Sequence, residues 1–376
     1  MERNFYPGSR PSAQLKTRCK FDPTSQEAFR LAMSELQRGA RALRIDSFSA
    51  ILGTRTMGTL LLTRSETEVL VEPDTLLADL RAAFRGYSLD RGVRAQRVRS
   101  SLSGPGTATV LFPGTAADIP AYTVKVHAKF PEQRPAIRGV LCLHDGQTGD
   151  LLAVMDSTHL TAVRTGLSSA LATDVLARRD ARSVAVIGAG MQGEHQLRSL
   201  HRMRPIGAVR VYDTAPDHAL AFAERMRHSL GLTIEVSDSV AAAVEAAEMV
   251  LAATWARTPF ILPGMLQPGT HVSTIGPDEP RKCEVSAEVI RDAVFVCDDR
   301  DLAVSMGAIG GAKLGADAIA AELGEVIGGT HPGRTTAEQI TVYGGVGLAF
   351  QDAVAAWQIY RAALSRGLGR EIDFLA

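Results

Sequence analysis

The spacing of hydrophobic positions divides the chain into two kinds of segment, with a change near residue 180. Beyond it, short apolar runs alternate with longer amphipathic stretches. The runs predict strands at residues 183–187, 208–212, 233–236, 250–253, 271–275 and 294–297, and the stretches predict helices at residues 192–203, 216–230 and 240–246. Strands that are apolar throughout and alternate with helices are typical of a doubly wound parallel sheet with helices on both faces.

The preceding segment has a mixed pattern broken by proline and glycine. It predicts strands at residues 60–62, 107–112, 122–127, 140–144 and 153–156, and helices at residues 72–87 and 161–176. This mixture indicates an α+β domain with a mostly antiparallel sheet. A last amphipathic helix, residues 347–364, is expected to return to that sheet, which is short of helical cover. The fold class is therefore α/β, a Rossmann sheet plus a second α+β domain built from both chain ends.

These patterns predict three parts of the chain. Residues 1–57 form an extension rich in Arg and Ser, which is expected to be helical or partly disordered. A capping box from Thr24 to Glu27 predicts a helix in it. The alternative is an upstream start codon, with Met57 beginning the compact protein. Residues 58–160 and 335–376 form the α+β domain, and residues 161–334 form the Rossmann domain.

The first strand of the alternating segment runs into a glycine-rich turn, VAVIGAGMQG at residues 184–193. Gly188 permits a tight turn, Gly190 lets the backbone approach a pyrophosphate, and Gly193 allows the strand and helix to pack closely. The helix N-terminus adds N–H donors and positive potential. This context predicts a dinucleotide site. The other loop residues belong to the same predicted site: Ala189, Met191 and Gln192.

A carboxylate ends the second strand of the alternating segment. Asp213 stands where the dinucleotide fingerprint has an acid that accepts hydrogen bonds from the adenosine ribose. It would repel a 2′-phosphate, and neither Thr214 nor Ala215 offers a cation to hold one. The sequence therefore predicts NAD(H) as the cofactor, and the alternative is a solvated aspartate in a turn.

Composition narrows the class of partner. The chain has 376 residues, and its 41 basic side chains balance 41 acidic ones. Without a net field to attract nucleic acid or anionic lipid, a small-molecule partner is expected. No apolar run approaches the roughly 20 residues that a membrane span needs. The four cysteines lack paired spacing, which favours reduced thiols in a cytoplasmic protein, and we assign no metal.

Three further segments are not explained by the dinucleotide motif. They are AVMDSTHLTAVRTGLSSALATDVLARRD, GTHVSTIGPDEPRKCEV and VYGGVGLAFQDAVAA. Together with LLTRSETEVLVEPDTLLADLRAAFRGYSLDRG and TVKVHAKFP, they resemble the ornithine cyclodeaminase/mu-crystallin family over residues 60–369. The resemblance is nearest to the archaeal alanine dehydrogenase and imine reductase branch.

The resemblance implies roles for individual residues. Arg97, Lys125 and Arg164 match positions that contact the substrate carboxylate, a task suited to cations in a partly dry pocket. Asp278 matches the general acid or base, so Asp278 and Lys125 are the predicted catalytic residues. Two further residues are implied for the cofactor site: Thr165 and Thr254.

Alternatives remain for two of these residues. Arg99 competes with Arg97 for its role, and Asp278 could instead cap a helix N-terminus. The resemblance further implies a homodimer formed through the α+β domain, which also binds the substrate.

The chain departs from the family pattern around the substrate. Phe112 precedes Pro113 where Met is usual, the loop after residue 130 is short, and Ala136 replaces a frequent Thr. Pro277 and Arg281 replace small residues beside Asp278. These changes reshape the pocket, so the side chain of the substrate stays open.

The resemblance implies three possible functions. The first is an NAD(H)-dependent oxidoreductase that acts on the C–N bond of a small amino, oxo or imino acid, either as an amino-acid dehydrogenase or as a ketimine reductase. The second is an ornithine cyclodeaminase, which needs an acid for the distant ammonium, and Glu132 is the candidate besides Asp278. The third is a non-catalytic ligand-binding protein. The presence of Lys125 and Asp278 weighs against the third. Asp213 and the similarity of the segments around Arg164 and Asp278 to the archaeal alanine dehydrogenase branch favour the first.

Overall fold

Two β-sheets form the framework of the protein. The computed structural model describes residues 58–90, 97–102, 104, 107–130, 132–133 and 135–374. The predicted extension, including the helix expected after Thr24, lies outside these residues. The strands are β1 Thr59–Leu62, β2 Val98–Ser101, β3 Ala108–Thr115, β4 Ala121–Lys129, β5 Ile137–Asp145, β6 Leu151–Asp156, β7 Ser183–Ile187, β8 Ala208–Tyr212, β9 Thr233–Val236, β10 Met249–Ala252, β11 His271–Thr274, β12 Val294–Cys297, β13 Ala321–Glu322, β14 Thr341–Gly344 and β15 Arg370–Ile372.

Helices connect and cover these strands. In chain order they are α1 Arg64–Leu70, α2 Pro73–Asp90, α3 Ser157–Leu176, α4 Met191–Met203, α5 Pro216–Leu230, α6 Val240–Val244, α7 Ala287–Asp292, α8 Arg300–Ser305, α9 Ala308–Gly311, α10 Leu323–Ile327 and α11 Ala349–Arg366, with a 3-10 turn at Ala316–Ala318. No helix in the described part of the chain is long and apolar enough to cross a membrane.

The first sheet has seven strands in the order β15-β1-β6-β5-β4-β3-β2. Strands β1 and β6 are parallel, whereas the other neighbouring pairs are antiparallel. The predicted, mostly antiparallel sheet is therefore confirmed. The pattern missed β2 and β15, because both are short and largely exposed and so carry little hydrophobic signal.

The second sheet has eight parallel strands in the order β13-β12-β14-β11-β10-β7-β8-β9. This order confirms the doubly wound sheet, and its direction reverses between β7 and β10, where ligands of such sheets bind. The expectation that this sheet is complete before residue 335 is wrong. Strand β14 pairs with β11 on one side and β12 on the other. Its four residues, TVYG, are buried but include only two apolar ones, so the sequence lacks the apolar run that revealed the other strands.

Helix α3 lies between the two sheets and begins earlier than predicted. Asp156 caps its N-terminus, because its carboxylate accepts hydrogen bonds of 3.1 Å from the backbone N–H groups of Thr158 and His159. The helix starts at Ser157 and therefore spans the expected domain boundary at residue 160. Most of its residues are buried, since the helix packs in the interior.

The C-terminal helix α11 packs on the antiparallel sheet, as expected. Its residues Val354, Ala355 and Ile359 share a hydrophobic core with Leu141 and Leu143 of β5. Full burial of each Leu or Ile stabilises the fold by about 1.5–3 kcal/mol. Because α11 follows β14, the end of the chain passes from the parallel sheet to the antiparallel one.

Candidate active site

The predicted cofactor and catalytic residues converge at the carboxyl edge of the parallel sheet. Each of six strands is followed there by a residue or loop of the candidate site. These are Gly188 after β7, Asp213 after β8, Thr254 after β10, Asp278 after β11, Asp298 after β12 and residues 345–347 after β14.

The three glycines of the turn after β7 serve different purposes. Gly188 has φ +100°, and a Cβ there would lie 2.6 Å from the carbonyl oxygen of Ala253. A Cβ on Gly193 would lie 2.2 Å from the Gly188 carbonyl oxygen. At Gly190, by contrast, a Cβ would have no atom of the described residues within 4 Å. The fold therefore needs the first and third glycines, while the second leaves space in front of the helix N-terminus.

Asp213 joins this turn to the next one. Its Oδ2 accepts a 2.8 Å hydrogen bond from the Ala189 N–H, and its Oδ1 accepts one of 2.9 Å from the Ala215 N–H. The carboxylate thus orients the glycine-rich loop directly. Gln192, at the start of α4, has a buried Oε1 with no hydrogen-bond partner in the described structure. An open glycine, a helix N-terminus and an unsatisfied polar atom fit a bound dinucleotide.

The other predicted cofactor residues lie on three different elements. Met191 is exposed at the first position of α4, and Thr165 is half-buried in α3. Gly166, next to Thr165, allows α3 to approach α4, because a Cβ there would lie 2.7 Å from the His195 backbone. The Cγ2 atom of Thr254 would lie 3.1 Å from a Cβ on Gly188, so Thr254 borders the glycine-rich turn.

Glu284 holds the loops after β10 and β11 together. Its Oε1 accepts hydrogen bonds from the N–H (2.6 Å) and hydroxyl (2.7 Å) of Thr254, and its Oε2 accepts from the Thr274 hydroxyl at 2.6 Å. Burial raises the pKa of Glu284, although these hydrogen bonds oppose the shift. The sequence contains Glu284 within the family motif, but no pattern revealed its positioning role.

Asp278 lies between two lysines. Its Oδ2 is 2.7 Å from Lys129 Nζ, and its Oδ1 is 2.7 Å from Lys282 Nζ. Burial alone would raise the pKa of Asp278, but these ammonium groups and Arg97 outweigh it and hold the pKa well below the usual range. Asp278 precedes a turn rather than a helix, which excludes the helix-cap alternative. Lys129 and Lys282 were not identified from the sequence.

Arg97 is held by backbone oxygens. It donates to the carbonyl groups of Asp278 (2.8 Å), Val346 (3.0 Å) and Gly347 (3.1 Å). Its guanidinium lies 4.5 Å from the Phe112 ring centre, and its buried Nε has no partner among the described residues. The alternative residue, Arg99, is more exposed and pairs with Glu279. Arg97 is therefore one of the cations that join the two sheets at this site.

A buried acid pairs with the other two predicted substrate cations. Asp352 of α11 lies 2.6 Å from Lys125 Nζ and 2.9 Å from Arg164 Nε. Burial alone would raise the pKa of Asp352, but Arg164 and Lys125 lower it. Burial lowers the pKa of Lys125 to about 7, although Asp352 opposes the shift. The neighbouring His127 is neutral, because burial and Lys125 lower its pKa to about 2.

Asp298 supports the loop that binds Arg97. Its Oδ2 accepts hydrogen bonds from the N–H groups of Val346 (2.9 Å) and Gly347 (2.6 Å). Burial raises the pKa of Asp298 to about 6, although these hydrogen bonds oppose the shift. Asp298 and Asp352 were not identified from the sequence, because each lies far along the chain from the residues that it contacts.

Chemically, the site combines a carboxylate, several cations and an adjoining dinucleotide cradle. Asp278 can accept a proton or stabilise a positive charge on nitrogen, because it stays ionised at neutral pH. Arg97, Lys125 and Arg164 can bind an anionic group. Both functions lie at the edge of the sheet that carries Gly188.

Comparison with known proteins identifies the family. The model of the ornithine cyclodeaminase/mu-crystallin family matches residues 57–367. The chain is 32% identical over 333 residues to an alanine dehydrogenase of Archaeoglobus fulgidus, which covers 85% of this chain and 99% of that protein.

Two solved structures are also similar. One is the Delta(1)-pyrroline-2-carboxylate reductase of Thermococcus litoralis in complex with NADH and L-proline, with 30% identity and a TM-score of 0.79 over 84% of this chain and 100% of that chain. The other is an archaeal alanine dehydrogenase dimer with bound NAD, with 31% identity and a TM-score of 0.78 over 85% of this chain and 100% of that chain. The predicted resemblance is confirmed, and this chain belongs to the ornithine cyclodeaminase/mu-crystallin family.

Proposed function

We propose that the protein is an NAD(H)-dependent oxidoreductase acting on the C–N bond of a small amino or imino acid. The observation that carries the proposal is the position of Asp278 and three anion-binding cations at the same sheet edge as the glycine-rich turn. The similarity to an alanine dehydrogenase and to a Delta(1)-pyrroline-2-carboxylate reductase supports it.

The cofactor site comprises the glycine-rich turn with its flanking residues. Gly190 gives the pyrophosphate access to the N-terminus of α4, Thr254 borders the turn, and Thr165 of α3 is assigned to the same site by the family resemblance. Asp213 disfavours a 2′-phosphate by charge, which supports NAD(H) over NADP(H). When bound, the nicotinamide supplies or accepts the hydride.

The substrate residues divide the remaining work. Arg97, Lys125 and Arg164 bind the carboxylate and so orient the carbon that bears nitrogen. In the oxidative direction, Asp278 would accept a proton from the substrate ammonium, because only the neutral amine can lose a hydride from its carbon. A bound nicotinamide would take up that hydride and leave an iminium. Water hydrolyses the iminium to an oxo acid and ammonium. In the reverse direction, the Asp278 carboxylate stabilises the iminium before hydride addition.

A direct assay tests this function. The protein is incubated with NADH or NADPH, a panel of 2-oxo acids and either ammonia or methylamine, and separately with L-ornithine and NAD. We expect net loss of NADH absorbance with at least one oxo acid and slower loss with NADPH. Proline formation without net change in NADH would replace the proposal with ornithine cyclodeamination. Cofactor binding without turnover in either assay would favour a binding protein.

A cyclodeaminase needs an acid that binds the side-chain ammonium of ornithine, and the two candidate acids do not suit this role. Glu132 is exposed, whereas Glu279 lies beside Asp278. Glu279 is already within 3.3 Å of Arg99, 3.5 Å of Lys129 and 3.7 Å of Lys282. A site with this excess of cations repels the side-chain ammonium of ornithine.

The pH dependence of kcat/KM should reflect Lys125. The free enzyme binds the substrate carboxylate best while Lys125 is protonated, and the pKa of Lys125 is lowered to about 7. We therefore expect kcat/KM to fall as the pH rises through about 7, since this parameter reports ionisations of the free enzyme. Lys125→Arg keeps the charge and should move this fall to higher pH. An unchanged profile in Lys125→Arg would exclude Lys125 as its cause.

A homodimer is the expected assembly, and an apolar sheet face supports it. Val98, Leu111, Val126 and Val140 are register neighbours across β2 to β5, and their side chains are 38–57% exposed. Contiguous exposed apolar rows of this kind mark interaction surfaces. The row lies on the face of the sheet opposite the buried residues Thr123, Lys125 and His127 of β4.

Val126→Lys should dissociate this dimer, because the substitution brings a charge into an apolar interface. Light scattering after gel filtration should give the mass of one chain instead of two. Lys313→Met alters an exposed residue away from the row and serves as the control. A Val126→Lys protein that remains dimeric would show that the interface lies elsewhere.

A cytoplasmic setting is part of the proposal, and the free thiols of Cys142, Cys283 and Cys297 support it.

A further inference from the structure

The site contains more positive charge than one substrate carboxylate needs. Among the described residues, a first group of cations surrounds Asp352 and the Val346–Gly347 carbonyls, and a second group surrounds Asp278 and Glu279. The first group is Arg97, Lys125 and Arg164. The second group is Arg99, Lys129 and Lys282. These six basic side chains face four acids, namely Asp278, Glu279, Asp298 and Asp352.

The excess is costly because most of these groups are buried. The side chains of Lys125, Lys129, Arg164 and Lys282 are only 1–7% exposed. A buried cation without a matching anion destabilises the protein, unless a ligand supplies the anion or the cation loses its proton. The lowered pKa of Lys125, caused by burial with a contribution from nearby Arg164 and Arg97, reflects this excess. One substrate carboxylate offsets one of the two surplus charges.

The second group of cations is under-compensated in its own contacts. The Glu279 carboxylate is shared by all three of its members, at 3.3 Å from Arg99, 3.5 Å from Lys129 and 3.7 Å from Lys282. Asp278 is shared by Lys129 and Lys282. The side chain of Arg99 is 35% exposed, so its guanidinium can reorient toward a ligand.

Members of both groups lie on one face of the antiparallel sheet. Lys125 and Lys129 both point to the buried side of β4, four residues apart, which separates their Cα atoms by about 13 Å. Arg97, of the first group, and Arg99, of the second group, lie at the edge of the same sheet. A small cavity is lined by Arg97 of the first group, by Arg99 and Lys129 of the second group, and by the acids Asp278 and Glu279. A ligand in this cavity would lie within reach of these three cations, with Asp278 beside it.

We infer that the substrate is a dicarboxylic amino or imino acid, whose side-chain carboxylate binds between Arg99 and Lys129. This inference rests on the proposed function, because it assigns the first carboxylate to Arg97, Lys125 and Arg164. Lys129 and Arg99 are then specificity-determining residues. The neutral His127 between Lys125 and Lys129 adds no competing charge.

Steady-state kinetics with chain-matched substrates test the inference. The pairs are oxaloacetate with 2-oxobutanoate and 2-oxoglutarate with 2-oxopentanoate, each with NADH and ammonia. We expect kcat/KM to favour the diacid by about tenfold or more in at least one pair, because a site built for a polar group rejects analogues that lack it. Lys129→Met should reduce this ratio to near one, whereas Lys313→Met, at an exposed lysine, should preserve it. A ratio below one, or one unchanged in Lys129→Met, would overturn the inference.

Equilibrium binding separates this inference from the proposed function. Titration calorimetry on the NAD-saturated protein compares succinate with butyrate, which have the same chain length. We expect succinate to bind about tenfold more tightly or better, and Lys129→Met to remove the difference. If no oxo acid consumes NADH, the proposed function fails, but the binding result still decides the inference. Equal affinity for succinate and butyrate would show that the second group of cations does not bind a carboxylate.

Discussion

Asp278→Asn should lower kcat by about 10²- to 10⁴-fold while leaving NADH affinity nearly unchanged. The amide cannot accept the proton of the substrate ammonium, and it does not stabilise a positive nitrogen as a carboxylate does. The glycine-rich turn, which is the proposed dinucleotide site, is held by Asp213, so it does not depend on Asp278. The measurements are kcat from NADH absorbance at saturating substrate and the NADH dissociation constant from fluorescence titration.

Two controls make this result interpretable. Asp317→Asn changes an exposed aspartate and should leave both parameters unchanged. Thermal unfolding of Asp278→Asn reports whether removing the partner of Lys129 and Lys282 destabilises the protein. Binding of NADH by the variant shows that it is folded. If Asp278→Asn turns over at the rate of the unmodified protein, Asp278 is not catalytic and only pairs with the two lysines.

The second large effect is expected on stability. Asp352→Asn leaves Lys125 and Arg164 buried without an anion, which should lower the free energy of unfolding by about 3–5 kcal/mol. Lys125 can relieve part of this cost by losing its proton, because its pKa already lies near 7 and Asp352 is what raises it. KM for the substrate should therefore rise as well. Urea denaturation gives the first quantity and initial rates give the second.

The matched control for this prediction is Asp317→Asn, where an exposed acid is removed. Surface substitutions of this kind change stability by about 0.5 kcal/mol or less. A loss below about 1 kcal/mol in Asp352→Asn would mean that water or a rearranged Gln351 compensates the two cations. Gln351 is adjacent, since Arg164 already donates a hydrogen bond to its Oε1.

Local pattern was sufficient for six strands of the parallel sheet and for its glycine-rich turn. Strands β7 to β12 are short runs rich in apolar residues, and helices separate most of them, so each is visible within a few residues of sequence. Strand β14 escaped because it stands alone before a glycine-rich loop and its neighbours in the sheet are β11 and β12. Only pairing with distant strands shows that TVYG belongs to the sheet.

The candidate site was predictable in part. Asp278, Arg97, Lys125 and Arg164 were found through the resemblance, because they lie within or beside recognisable segments. Lys129 lies in one of those segments too, yet nothing local shows that its ammonium reaches Asp278, which is 149 positions away. Asp352 likewise pairs with residues on β4 and α3. Contacts between distant elements decide which charges meet.

By itself, the sequence determined the two fold classes, the dinucleotide turn, the acid that favours NAD(H) and the family. These features depend on short-range periodicity, on backbone conformations that only glycine adopts, and on contiguous motifs. The tertiary structure decided the position of β14, the pairing of Asp278 with two lysines and the burial of Asp352. It also decided the balance of charge in the pocket, because electrostatic energy depends on distance and burial, and neither is encoded at a single position.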